Sequence, residues 1–154
     1  SNILSGGKSS RLYQNIVYSK QIALAAGGGY TSVQTDPELF YFYAQLKPGR
    51  TVEEAETALN EEIERIKKEY VSEIELQKAR NQIEAAFIMG QDSVFYQAML
   101  IGQLETTGAG TGYLESYIDE IRKVTAEDIM RVAQTYFSED NRTVGVLVPL
   151  PNKQ

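Results

Sequence analysis

The sequence predicts an α+β fold, a mainly antiparallel sheet with helices packed on one face. Three observations lead there. Residues 39–46 alternate, with Phe40, Phe42, Ala44 and Leu46 on one face and Tyr41, Tyr43 and Gln45 on the other, the period-two pattern of a half-buried strand. A second apolar run, residues 22–26, stands a short connection upstream, so the two should pair antiparallel. Downstream, hydroxyl residues followed three positions later by an acid open three helices: Thr51 with Glu54, Ser72 with Glu75, and Thr125 with the shorter Asp128.

In chain order, Gly6-Gly7 marks a turn, and residues 9–19 read as a short helix with Leu12, Ile16 and Tyr13 on one side. The first strand runs into Gly27-Gly28-Gly29, where glycines inside a strand pattern point to a bend, a bulge or a close backbone approach. Residues 30–34 are expected to resume the strand before the Asp36-Pro37 turn. Lys47-Pro48-Gly49 ends the second strand. The helix after Thr51 carries Val52, Ala55, Leu59, Ile63, Ile66 and Tyr70 as one apolar stripe. The helix after Ser72 carries Leu76, Ala79, Ile83, Phe87, Gly90 and Val94 and is expected to continue, kinked near Gly90, to Leu104. A Gly/Thr-rich loop (106–112) precedes helices at 113–123 and 126–137. Val144, Val146 and Val148 alternate in an expected closing strand, 142–148, which Pro149 and Pro151 end. We read residues 1–154 as one domain without internal repeats.

Composition removes several classes of function. The net charge of −6 argues against nucleic acid, which needs a basic face. No apolar run approaches the roughly 18 residues of a membrane span, and no basic-then-apolar leader opens the chain. Cysteine is absent, which excludes disulfides, thiolate metal sites and a cysteine nucleophile and leaves the compartment open. Histidine is absent too, which removes the usual ligands of catalytic zinc and the base of a Ser–His–Asp triad. The opening Ser1-Asn2-Ile3-Leu4 reads as the end of an element, so an N-terminally truncated piece of a longer protein is expected.

Three groups of residues invite chemistry. Gly6-Gly7-Lys8-Ser9 resembles a phosphate loop, but the required earlier glycine is Asn2, and a plain helix entry is favoured. Glu53-Glu54, Glu61-Glu62 and Glu73/Glu75 could hold a metal. The favoured reading is a solvated helix face or first turn, paired with Lys67, Lys68 and Lys78. Tyr30, Tyr41 and Tyr43 either line a peptide-binding surface or cover an ordinary sheet face, and the sequence leaves both open.

Leu4-Ser5-Gly6-Gly7-Lys8-Ser9-Ser10-Arg11-Leu12-Tyr13-Gln14 resembles the LGGGxSSRLYQ stretch in the second half of pitrilysin/insulinase-type zinc metallopeptidases, which include the mitochondrial processing peptidase. Pro37-Glu38-Leu39-Phe40, the stretch from Ser72 to Arg80, Val124-Thr125-Ala126-Glu127-Asp128-Ile129 and Asn141-Arg142-Thr143-Val144-Gly145-Val146 fit the same family in order, so the resemblance covers essentially the whole chain. It implies half of a metallopeptidase clamshell, a two-layer α/β sandwich. The other half would carry His-x-x-Glu-His and the zinc, whose bound water that motif's Glu activates. This chain would then be a metal-free, non-catalytic C-terminal domain without a cofactor or catalytic residues of its own. It would help to enclose a peptide that adds as a strand to the catalytic half. Active relatives carry an Arg and a Tyr that steady the substrate carbonyl; alignment on residues 9–14 puts Val17 and Leu24 there, and neither side chain can donate a hydrogen bond.

The expected partners are a sister zinc-bearing domain or subunit and a peptide substrate, with a homodimer possible because a separated half exposes its docking surface. The rival readings are a structural subunit like the inactive processing-peptidase-like core proteins, and a peptide-binding module unrelated to proteolysis.

Overall fold

A computed structural model of the chain describes residues 1–148. Its order is α1 (Asn2–Ser5), a π-helix (Tyr13–Ser19), β1 (Ala23–Gly29), β2 (Tyr41–Leu46), α2 (Val52–Lys68), α3 (Glu73–Gly90), α4 (Val94–Thr106), α5 (Gly112–Lys123) and α6 (Ala126–Tyr136). β1 and β2 form a two-stranded antiparallel sheet, and the α+β class expected from the sequence holds.

The strand alternation works as expected. Phe40, Phe42, Ala44 and Leu46 pack against a core of Leu4, Leu12, Ile16, Ile22, Ala23, Ala55, Ala58, Ile66, Val71, Leu76 and Ala133. Phe137, just past α6, sets its ring edge-on to Phe40 and Phe42, with centroids 5.1 and 5.5 Å away. That contact ties the chain's late helices to its early strand and buries apolar area on one sheet face only.

Of the three expectations for the β1 glycines, the close backbone approach is the one found: Gly27, Gly28 and Gly29 stay in the ladder opposite Tyr43, Phe42 and Tyr41, and a Cβ on Gly28 would lie 2.5 Å from the Tyr41 carbonyl, while the register slips between Ala23 and Ala25. β1 departs from expectation at its end, since the strand does not resume over 30–34. The last paired residue is Gly29, opposite Tyr41, the first residue of β2. Gln103 holds the departing loop by donating to the Val33 carbonyl at 3.1 Å.

The helices follow their caps. Thr51, Ser72 and Thr125 each form a complete capping box, the third with both bonds present despite the shorter Asp128. The second long helix does not run on to Leu104. It ends at Gly90, and Ser93 starts α4 by accepting the Tyr96 amide at 3.2 Å. A Cβ at Gly90 would lie 2.6 Å from the Tyr96 ring, so a larger residue at this break must displace that ring. Val94 is therefore exposed instead of continuing the buried stripe.

Residues 142–148 belong to no helix or strand among the described residues. β-propensity there is not matched by a neighbouring backbone to bond with, and a ladder needs two. Pro149 and Pro151, expected to end that strand, lie outside the described residues.

Candidate functional site

Two regions bring polar or aromatic side chains together. The first is the sheet face turned away from the core. On it Tyr41 and Tyr43 are 57% and 51% exposed. Each ring lies over its cross-strand glycine: a Cβ on Gly29 or Gly27 would stand 3.0 Å from the Tyr41 or Tyr43 side chain. The glycines thus let two phenols lie along the sheet as a flat platform. Tyr30 does not join them. It stacks on Phe40, a core-facing ring, at a centroid distance of 6.3 Å and 11° between planes.

The second region surrounds the π-helix. Here the backbone bonds lengthen to five residues, with Lys20 N–H donating to the Asn15 carbonyl at 2.9 Å, and Gln21 follows at φ 51°. Asn15 Nδ2 donates to Glu62 Oε1 at 2.7 Å, and Glu62 is 2% exposed. Arg65 lies 3.1 Å from the same oxygen. This corrects the sequence reading, which put Glu62 on a solvated face: it sits on the buried stripe Ala55–Ala58–Glu62–Ile66, and burial is tolerated because Asn15 and Arg65 satisfy the charge. The signal was present in the spacing, since residue 62 follows residue 55 by seven and precedes residue 66 by four.

Arg11 reaches from just before the π-helix to Glu75 in a two-pronged pair, Nε to Oε1 at 2.8 Å and Nη2 to Oε2 at 3.0 Å. That guanidinium, together with the Ser72 amide, holds the Glu75 carboxyl down at about 2. Glu54 is likewise lowered by the Thr51 amide and then by Arg50, and Glu64 falls to about 2 between Lys67 and Lys68. Lys78, expected to pair with an acid, donates instead to the Ser9 carbonyl at 3.1 Å and to the Ser9 hydroxyl.

An open cleft of about 370 Å³ lies beside these pairs, lined by Ser9, Arg11, Gln14, Asn15, Arg65 and Glu69 among others. Its lining charges are balanced, which suits an internal brace better than a ligand pocket. Among the described residues, no group of three or more acidic or other ligating side chains is placed to hold a metal ion. The acidic runs are used in caps and ion pairs: Glu54 with Arg50, Glu61 with Lys20, Glu73 with Arg80 and Glu75 with Arg11. Lys8 lies in the turn between α1 and the π-helix, and its carbonyl accepts from Gln14 Nε2 at 2.6 Å. Val17 packs against the core, and Leu24, at the bulge, is exposed.

Residues 1–83 match the family described as Peptidase M16 inactive domain. The chain belongs to that family. Among its relatives is a protein from Rickettsia bellii named "Uncharacterized zinc protease", 32% identical over 147 residues, which cover 96% of this chain and 35% of that protein. The zinc protease PqqE of Helicobacter pylori is 28% identical over 97% of this chain and 33% of its own length. The chain therefore spans about a third of the length of these curated relatives. Among solved structures, a protease from Helicobacter pylori matches with a TM-score of 0.85 at 27% identity, over 92% of this chain and 33% of that one. An inactive peptidase domain from Bordetella parapertussis matches with a TM-score of 0.86 at 27% identity, over 99% of this chain and 80% of that one. This M16 inactive domain thus shares its fold with peptidase domains, and the LGGG-like opening that suggested the family lies within the matched residues.

Proposed function

We propose that this M16 inactive domain forms a metal-free wall of a zinc peptidase and helps to enclose an extended peptide, while a sister domain holds the zinc. The observation that carries the reading is the Tyr41/Tyr43 platform: two exposed phenols side by side on a face that no core helix covers. Rigid aromatic rings contribute contact area at low entropy cost, and their hydroxyls remain free to bond a peptide backbone. The chain has no histidine with which to bind zinc, so a sister domain would supply the activated water. Family membership and relatives named zinc proteases support this division of labour.

The test uses the full reading frame that carries this chain. Replacing Tyr41 and Tyr43 together by Ala should raise KM for an extended peptide severalfold and leave kcat within about twofold, the signature of lost uniform binding. An unchanged KM in a protein of unchanged Tm would sink the platform reading. This chain alone should show no chelator-sensitive cleavage of a quenched peptide.

A second reading, a structural subunit, draws on Val17 and Leu24, which offer no side-chain donor where active relatives are expected to have two. A reading frame without His-x-x-Glu-His would favour it. Under either reading a docked partner, sister domain or second copy, fits the exposed apolar residues Ile88, Met89, Val94 and Phe95 around the α3–α4 break. A monomer without aggregates at high concentration in light scattering would count against that docking.

A further inference from the structure

The ladder that carries the two exposed tyrosines is uncharged from end to end. Residues 23–29 and 41–46 include no Asp, Glu, Lys or Arg. Beyond Tyr41 and Tyr43 the next outward residue of β2 is Gln45, and Leu24, skipped in the register beside it, is 52% exposed. A side chain laid on this face therefore meets rings, an amide and an alkyl group, and no charge of either sign from the strands themselves.

The rings are also held in a way that fixes what they present. Tyr41 and Tyr43 lie over Gly29 and Gly27, so close that a Cβ on either glycine would stand 3.0 Å from the phenol. The sheet thus covers one face of each ring and leaves the other toward solvent. The open face of an aromatic ring carries the negative part of its quadrupole. Residues two apart on a strand stand about 7 Å apart, and an extended peptide repeats its same-side side chains at the same interval. A peptide lying along β2 sets two alternate side chains, at positions n and n+2, on the two rings.

We propose that the Tyr41/Tyr43 platform selects its peptide, accepting aliphatic or aromatic side chains at n and n+2 and rejecting acidic ones there. The inference rests on the platform reading under Proposed function and adds a substrate class to it. An aliphatic side chain on an open ring face removes apolar area from water on both partners. A carboxylate in the same place gives up its hydration against a negative ring face, and neither strand offers a cation to replace the lost water. The chain's net charge of −6 opposes acidic peptides further.

Equilibrium binding tests this in the full reading frame, with a chelator present so that no peptide is cleaved. The probes are short fluorescent peptides in which one pair, n and n+2, is Leu/Leu, Gln/Gln or Glu/Glu, moved stepwise along an otherwise neutral peptide. At one register Glu/Glu should raise Kd at least about tenfold over Leu/Leu. Gln/Gln, which has the shape of Glu without its charge, should bind more tightly than Glu/Glu. Tyr41→Ala with Tyr43→Ala should bring the Glu-to-Leu ratio to within about twofold, since the ring faces that discriminate are gone. Tyr43→Lys, an exposed single change that sets a cation on the same spot, should also cut the ratio and serves if the double variant lowers Tm. A ratio that survives these substitutions, or the lack of any discriminating register, would overturn the proposal. If the double variant raises Kd equally for every peptide, the platform binds without choosing, and only this inference fails. If no peptide's Kd responds to either variant, the platform reading itself fails.

Discussion

The Tyr43 ring lies across Gly27, its cross-strand partner, so closely that a Cβ on the glycine would stand 3.0 Å from the phenol. One residue along, the constraint is of another kind: a Cβ on Gly28 would meet the Tyr41 carbonyl at 2.5 Å and the Phe42 ring at 2.9 Å. An exposed ring can swing aside, whereas ladder backbone cannot. Gly27→Ala should therefore change stability by less than about 1 kcal/mol, with the entropy gained from a stiffer unfolded chain offsetting the displaced ring. Gly28→Ala should cost about 1–3 kcal/mol through overpacking. Urea denaturation of the two variants side by side checks the order, and the reverse order would show that the outer ring is the tighter constraint.

Asn15 should matter more to stability than a half-exposed polar residue normally does. Its side-chain amide is the neutral donor to buried Glu62, and the π-helix sets its position. Asn15→Ala leaves a carboxylate inside the core with only Arg65 beside it, a loss of about 1–3 kcal/mol. Glu62→Gln, which keeps an acceptor and removes the buried charge, should cost less. Chemical denaturation of both variants measures the difference, and equal losses would show that the charge is not the burden.

The Arg11–Glu75 pair predicts a specific response to acid. Glu75 titrates at about 2 in the folded chain against an ordinary 4.5, so its folded value is depressed. Its contribution is then fully present above about pH 4.5 and is lost as pH falls toward 2. Arg11→Met removes the main cause of the depression. The stability difference between parent and variant should be about 1 kcal/mol at pH 7, allowing for solvent at a partly exposed pair, and should narrow as pH falls from 4.5 to 2. Denaturation midpoints at pH 7, 4.5 and 3 follow it. A difference that widens in acid would contradict the sign.

Ser93 separates α3 from α4. Its hydroxyl accepts the Tyr96 amide, so Ser93→Ala should cost about 1 kcal/mol, and Ser93→Gly only a few tenths. Exchange rates of the amides at residues 94–97 should rise in the alanine variant first. If they do not change, the break is held by Gly90 and Tyr96 packing alone.

The sequence was most legible where one local rule decides. The three capping boxes start helices at the expected residues, and the 39–46 alternation places Phe40 and Phe42 inward and Tyr41 and Tyr43 outward. It was least legible where contacts far apart in sequence decide. Nothing local marks Asn15 as the partner of Glu62, 47 positions away, or marks residues 13–19 as a π-helix instead of an α-helix. The same holds for Tyr30: a sequence pattern grouped it with Tyr41 and Tyr43, and stacking on Phe40 separated it.

By itself, then, the sequence determined the α+β class, the family through Leu4-Ser5-Gly6-Gly7 and the residues after it, and the want of any imidazole for zinc. Those are matters of residue identity and short-range period, which a chain carries whether folded or not. The tertiary structure decided which acid is buried, which tyrosines share a face, where β1 stops and that residues 142–148 join no strand among the described residues. Each of these depends on a partner distant along the chain, and only folding brings such partners within bonding range.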